Sequence, residues 1–367
     1  MSTLRIFCAG DVMTGRGVDQ ILPHPGDPRI QESFLKDARD YVQIAEQANG
    51  RIPRRAEFSY PWGEALKELE RYAPHARVVN LETSVTRSNE RAPKGINYRM
   101  APGNVRCLQA LGLHCATLAN NHVLDWGVSG LLETLEVLHA AKIATAGAGA
   151  TLSQARAPVI VECGGHRRLL VFALAFESSG VPEHWAAGVG PGVWWLGEPS
   201  DAHVGEIAKQ VAAAKAASDV VMVSIHWGGN WGYEVTKAER RFAQALVERA
   251  QVDLIVGHSS HHPKGLEVHR GKLILYGCGD FVNDYEGISG HEQYRSELRL
   301  MYLASLRANG ELSMLEIVPF VSRRFRLERV SRDDAVWLFE TLARESARFD
   351  TNVSARSDGT LVVSADG

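Results

Sequence analysis

Several positions in this chain put a carboxylate, a carboxamide or an imidazole directly after a short apolar run and ahead of a glycine-rich or polar turn. They are Asp11, Glu82, Asn121 with His122, His226, and His258 with His261. These side chains are ligand types for hard or borderline divalent cations, and no thiol stands among them. Singly, each has a plain structural use: Asp11 could ligate a metal, cap the next helix, or do both. Repetition of one pattern at successive strand ends points instead to a metal site. The same residues could move protons. His122 can pair with Asp125 or Asp11, and His261 or His262 with Asp280 or Asp284. A carboxylate partner fixes the imidazole tautomer and raises its basicity. His291 and Asn283 read as surface-loop residues. Trp62, Trp227 and Trp231 are candidates for lining a substrate pocket beside the histidines, while Trp126 reads equally well as core.

Strands must carry these residues. Residues 4–9 are apolar and run into Gly10-Asp11. Residues 77–81 end at Glu82, and 115–119 end in Asn120-Asn121-His122. Helical patterns over 61–72, 104–111 and 130–140 alternate with these strands and with a short one at 143–146, the rhythm of a parallel sheet. Open α/β sheets bind ligands at the carboxyl ends of their strands, which is where the polar residues fall. From Pro158 the pattern changes. Hairpins are predicted at 159–162 with 169–173 and at 266–269 with 273–276, between helices at 201–217 and 238–250. Strands at 220–225 and 253–257 end at His226 and His258, antiparallel strands follow at 299–306 and 312–320, and a last helix spans 332–347.

Between the first strand and its helix lies a long excursion, residues 20–62, with Pro23, Pro25, Pro28 and Pro53 and a helical stretch near 33–48. An insertion of that length is commonly functional, so a lid or substrate-side wall is expected, with Tyr60 and Trp62 as aromatic contacts. With no repeat or linker in view, residues 1–350 read as a single domain and 351–367 as a flexible tail.

The chain has 367 residues and a formal net charge of -3, which leaves no electrostatic footprint for nucleic acid. Its five cysteines are scattered and lack zinc-site spacing, as expected of buried, reduced thiols. Neither a signal peptide nor an apolar run of about 18–20 residues is evident, so a soluble cytoplasmic protein is expected, without membrane or nucleic-acid partners.

Taken together, Gly10-Asp11-x-Met13, Asn80-Leu81-Glu82, Asn120-Asn121-His122, His226-Trp227-Gly228 and Gly257-His258-x-x-His261 resemble the motifs of the CapA family. That family takes its name from poly-γ-glutamate capsule proteins and lies within the calcineurin-like metallophosphoesterase superfamily. The resemblance implies a four-layer α/β/β/α sandwich with two mixed β-sheets and the metal at the strand ends. It implies metal binding by Asp11, Glu82, Asn121, His226 and His258, and acid/base work by His122, His261, Asp11 and Asp284. Met13 stands where phosphoesterases keep a second histidine, and Glu82 replaces their bridging aspartate. These departures favour one divalent ion (Ca, Mg or Mn), with no organic cofactor, over a two-metal phosphatase centre. The chain is similar to the soluble branch that includes a lasso-peptide epimerase. The expected activity is inversion of a Cα centre in a ribosomally made precursor peptide by two-base His/Asp proton transfer. A metal-dependent phosphoesterase and a poly-γ-glutamate capsule biosynthesis protein are the alternatives.

Overall fold

The computed structural model describes residues 3–364 and shows a mixed α/β fold built on two large sheets. At the centre of the ten-stranded first sheet is Leu4–Val12. On one side it pairs in parallel with Ala76–Leu81, which leads to Cys115–Thr117 and Ala144–Ala146. On the other side lie antiparallel Leu298–Leu306 and Leu312–Arg323. A short strand, Asp280–Val282, pairs in parallel with the end of Leu4–Val12. Gly10 makes that approach possible, because a Cβ there would fall 1.6 Å from the Gly279 carbonyl oxygen.

The six-stranded second sheet runs Leu266–His269, Lys272–Leu275, Leu254–His258, Val220–His226, Arg168–Ala175, Val159–Glu162. Its four central strands are parallel, and each edge is closed by one of the two expected hairpins.

Alternation along these strands divides the core. Leu169, Val171, Ala173 and Met222 join the cluster that also holds Val78, Cys115 and Ala116 of the first sheet. Leu170, Phe172, Val221 and Val223 face the other way, onto Val204, Ile207, Phe242 and Leu246 of the helices Asp201–Ala214 and Lys237–Arg249. A period of two thus buries both faces of the second sheet. Ser224 donates across to Thr117 at 3.1 Å, one of the few polar links in this otherwise apolar seam. A capping box of Thr236 and Glu239 starts the second helix, and Ser331 with Asp334 starts Arg332–Ala347.

The predicted helix near 33–48 is shorter, at Arg39–Asn49. The tail is not loose through Ser364. Leu361–Ser364 pairs with Leu312–Arg323, burying Leu361 and Val363, so alternating apolar residues there complete the sheet. Residues 365–367 of that predicted tail, and residues 1–2 of the N-terminal reading, lie outside the described residues. All five cysteines are buried and free. No helix among the described residues is long and apolar enough to cross a membrane.

Candidate metal centre

Strand register assembles the centre. Asp11 sits opposite both Asn80 and Asp280, while His226 sits opposite His258 in the second sheet. Asn80 Nδ2 donates to Asp11 Oδ1 at 2.7 Å and to Glu82 Oε2 at 3.3 Å, holding the two carboxylates side by side. Asp11, Glu82 and His226 offer ligand atoms all within 4.8 Å of one another. His258 Nδ1 lies 3.3 Å from Asp11 Oδ1. Ser259, held at φ 92°, donates its N–H to Asp11 Oδ2 at 3.2 Å, so the strained residue after His258 also fixes the aspartate.

These residues fit a divalent cation. Both ring nitrogens of His226, Nδ1 of His258 and Oδ1 of Asn121 are buried without a hydrogen-bond partner. Such atoms are costly to leave unpaired, and here they are of ligand type. Burial and the neighbouring charge of Asp11 push Glu82 well above the usual carboxylate range. For Asp11, burial is outweighed by His258 and His226 and the carboxyl is held low. Burial pushes His226 down to about 3, leaving it neutral with a lone pair to give. A crowded acidic pair beside the neutral His226 imidazole is relieved by positive charge.

Two histidine–aspartate pairs flank this group. At the Glu82 end, His122 Nδ1 lies 2.7 Å from Asp125 Oδ2, and His122 Nε2 is 3.8 Å from Glu82 Oε1. The Tyr98 N–H donates to the same Asp125 oxygen at 2.6 Å. Lys94 Nζ pairs with Asp125 Oδ1 at 2.8 Å, lies 3.2 Å from His122 Nδ1 and donates to the Asn121 carbonyl. Burial pushes His122 down to about 4. At the Asp11 end, His261 Nδ1 lies 2.9 Å from Asp280 Oδ1. Asn283 donates to Asp280 Oδ2 at 2.6 Å, and Arg299 donates to Asn283 Oδ1 at 2.7 Å. Burial opposes the His261 cation, yet Asp280 outweighs it and holds the imidazole above its ordinary value. The centre opens beside a cavity of about 280 Å³ whose walls include Arg16, Tyr41, Trp231, His261, Tyr285 and His291. Tyr41 and Phe34 bring the early insertion into that wall.

The structure brings Asp11, Glu82, His122, His226, His258 and His261 together as expected, and it resolves the open pairings as His122 with Asp125 and His261 with Asp280. Other expectations are corrected. Asp284 pairs with Arg16 through both carboxylate oxygens and accepts the Gly17 N–H, so it orients the Arg16 turn and serves no histidine. Trp62 is fully buried, donates to the Cys107 carbonyl at 2.7 Å and packs on Phe281, which makes it core. Trp227 is likewise buried, between Phe176 and Tyr276, with its indole N–H on the Tyr276 carbonyl. Tyr60 is spent on the Arg324 carbonyl. Of the indoles expected at the pocket, Trp231 alone lines it, stacked 3.9 Å from His291. His291 is an exposed loop residue, as expected, that also borders the cavity, whereas Asn283 is buried and is not a surface-loop residue. Met13 is buried, with Sδ accepting from the Tyr285 hydroxyl at 3.9 Å.

Sequence reasoning missed Lys94, Arg16 and Arg299. Arg299 left a trace, a charge inside an otherwise apolar strand, and Arg16 sits between two glycines. Lys94 lies in a polar loop with nothing to mark it.

Residues 5–285 match the family model described as bacterial capsule synthesis protein PGA_cap. A Mycobacterium tuberculosis protein named probable polyglutamine synthesis accessory protein is 49% identical over 98% of this chain and 95% of its own length. The capsule biosynthesis protein CapA of Bacillus anthracis is 25% identical, covering 86% of this chain and 67% of the relative. The PGA biosynthesis protein CapA of Bacillus subtilis is 27% identical, covering 78% and 71%. Among solved structures, a 5'-nucleotidase precursor from Thermus thermophilus aligns over 87% of this chain and 54% of that one. Its TM-score is 0.45 at 14% identity, a likeness too distant to carry an argument. The names of these relatives speak of capsule and polyglutamine synthesis, and the expected lasso-peptide branch finds no support in them. By the extent of the family match and the 49% identity along nearly its whole length, the chain belongs to the bacterial capsule synthesis protein family, PGA_cap.

Proposed function

We propose that this protein is a metal-dependent enzyme of glutamyl-polymer synthesis that inverts a Cα centre of a γ-linked glutamyl chain by two-base proton transfer. One observation carries the reading: His122 and His261, each with Nδ1 on its own aspartate, stand at the two ends of the Asp11–Glu82 pair. Asp11, Glu82, Asn121, His226 and His258 are the residues that would hold one divalent ion, Ca, Mg or Mn. The expected four-layer calcineurin-like arrangement is the frame of this assignment. When bound, the ion would supply positive charge to the carboxylate next to the reacting carbon.

The chain's own groups do the rest. With Nδ1 tied to a carboxylate, each imidazole has Nε2 left for substrate. One Nε2 takes the Cα proton as its C–H bond breaks, and the electron pair spreads onto the α-carboxylate, the group that stands beside Cα in a γ-linked chain. The other imidazole, protonated at Nε2, gives its proton to the opposite face, so one proton is taken and one returned. Asp125 and Asp280 orient the rings. Lys94 and Arg299 hold those aspartates in turn.

Relatives named for polyglutamine and capsule synthesis favour the glutamyl chain. The second reading keeps the chemistry and changes the substrate to a lasso-type precursor peptide, favoured by the cavity's mixed lining of Trp231, His291 and Ile288, which suits a peptide side chain. Phosphoester hydrolysis is disfavoured by Met13, buried where a second nitrogen ligand would be needed. The test is incubation in heavy water with γ-linked oligoglutamate and, separately, the precursor peptide, followed by mass spectrometry and chiral amino-acid analysis. Chelator-sensitive gain of one Cα deuteron with D-residue formation is expected. No uptake by metal-loaded protein with either substrate, together with phosphate release from simple esters, would reverse the assignment in favour of a phosphoesterase.

A further inference from the structure

Behind the His122–Asp125 pair a second cavity of about 280 Å³ opens between residues 27–32 of the insertion and the loop 89–99, with Trp126 in its wall. Its charges do not cancel. Two acids line it, and both are already engaged: Asp27 by Arg29, and Glu32 by Arg16 and Tyr41. Arg91 and Arg99 also line it, and among the described residues neither has a carboxylate oxygen within 4 Å; Asp27 and Asp19 act on Arg99 from farther off. Arg91 donates to the Lys94 carbonyl at 3.5 Å and to Asn97 Oδ1 at 3.3 Å. Arg99 donates to the Ser88 carbonyl at 2.9 Å, to Asn89 Oδ1 at 3.2 Å and to the Asp27 carbonyl at 3.4 Å. All of these acceptors are neutral.

Arg99 is also held in plane, with its guanidinium 3.9 Å over the Trp126 ring. Trp126 donates its indole N–H to the Tyr98 carbonyl, so the platform itself is fixed. A pre-oriented guanidinium that touches no carboxylate, at a cavity wall, is matched by a planar oxyanion that accepts two parallel hydrogen bonds. The cavity is joined to the centre by backbone: Asn97 donates to the Asp125 carbonyl, and the Tyr98 N–H holds the Asp125 carboxylate.

We propose that Arg91 and Arg99 form an oxyanion subsite that takes a carboxylate of an acidic peptide chain while another part of that chain lies at the metal centre. The identity of that chain as γ-linked glutamate rests on the function proposed above; the anion subsite rests on the two arginines.

The experiment is calorimetric titration of the metal-loaded chain with γ-linked tetraglutamate, its α-carboxamide analogue (γ-linked tetra-isoglutamine) and inorganic phosphate. Wild type is compared with Arg91→Gln and Arg99→Gln. Thermal unfolding checks the fold, and Arg91→Gln, on a surface loop, is the variant that leaves Trp126 packed. Each substitution is expected to weaken tetraglutamate binding by about tenfold, the loss of one charge-assisted hydrogen bond, with the α-carboxamide analogue not bound. Tetraglutamate binding unchanged in both folded variants overturns the subsite and leaves the glutamyl function standing. Phosphate binding that both variants lose, with no tetraglutamate binding to wild type, supports the anion subsite and overturns the glutamyl assignment. No binding of any probe overturns the subsite.

Discussion

The two sheets contribute unlike halves of one centre. The first sheet brings Asp11 and, just past a strand end, Glu82, which would give oxygen; the second brings His226 and His258, which would give nitrogen. In the oxygen half, Asn80 forces two carboxylates together, and burial with the Asp11 charge pushes Glu82 up. The nitrogen half holds no opposing charge of its own, and burial leaves His226 neutral. Neither half is a site alone. The acidic half sets two carboxylates side by side, and the imidazole half has buried ring nitrogens with no hydrogen-bond partner. Docking the sheets creates the centre, so core packing at the seam and metal binding are linked.

The strongest test of that symmetry removes one imidazole from each half. His122→Ala and His261→Ala are each expected to lower inversion by roughly 10²- to 10⁴-fold while metal content is kept. The two-base scheme asks for more than loss of rate. A variant with one base left should still exchange the Cα proton with solvent from one face, without forming the other enantiomer. Deuterium uptake and chiral analysis on the same sample separate the two. Loss of both signals in both variants would mean a single proton-transfer path, and the comparison of the halves would fail at the chemistry.

Metal binding distinguishes the halves next. Asp11→Asn removes a charge common to both groups of ligand-type residues at the centre and should weaken binding of any hard divalent ion on the order of 100-fold. His226→Ala removes a neutral nitrogen. It should cost Mn binding more than Ca or Mg binding, because imidazole suits the former. Metal titration with each ion gives the ratios. Equal losses for all three ions in His226→Ala would remove it from the ligand set.

The strand ends were legible because chemistry and burial change at the same point: an apolar run stops, and a ligand-type residue follows. Glu82, His122, His226 and His258 all show this. The charged residues that brace them were not legible, since their partners are far along the chain. Lys94 reaches Asp125 across a loop, and Arg16 meets Asp284 across 268 positions. Neither contact has a period or a motif. The tryptophans failed for another reason. Adjacency to a ligand on a strand says nothing of face, and Trp227, next to His226, turns into the outer cluster while His226 turns to the centre. The short strand at Asp280–Val282 was hidden in a glycine-rich stretch, where backbone pairing does the work that side-chain pattern does elsewhere.

The smallest expected effect concerns a histidine of the nitrogen-rich region that carries no ligand role. His262 Nε2 accepts the Gly232 N–H at 3.1 Å, and its ring stacks 4.4 Å from Tyr294 and 4.7 Å edge-on from Tyr233. Burial pushes it down to about 4, opposed first by the Pro263 carbonyl 3.2 Å from Nδ1 and least by Asp280, with Lys264 and His261 acting the same way as burial. Below its ordinary value of 6.5 the unfolded chain therefore binds a proton that the folded chain refuses. Stability is fully present above pH 6.5 and is lost as pH falls toward 4, by at most about 3 kcal/mol from this group. His262→Gln keeps an acceptor for Gly232 and has nothing to titrate, so its unfolding free energy should fall less steeply than wild type over that window. Chemical denaturation at a series of pH values measures the difference between the two curves, in which the other buried histidines cancel. Parallel curves would show that the Gly232 contact, and with it the placement of Trp231 at the cavity, survives protonation of His262.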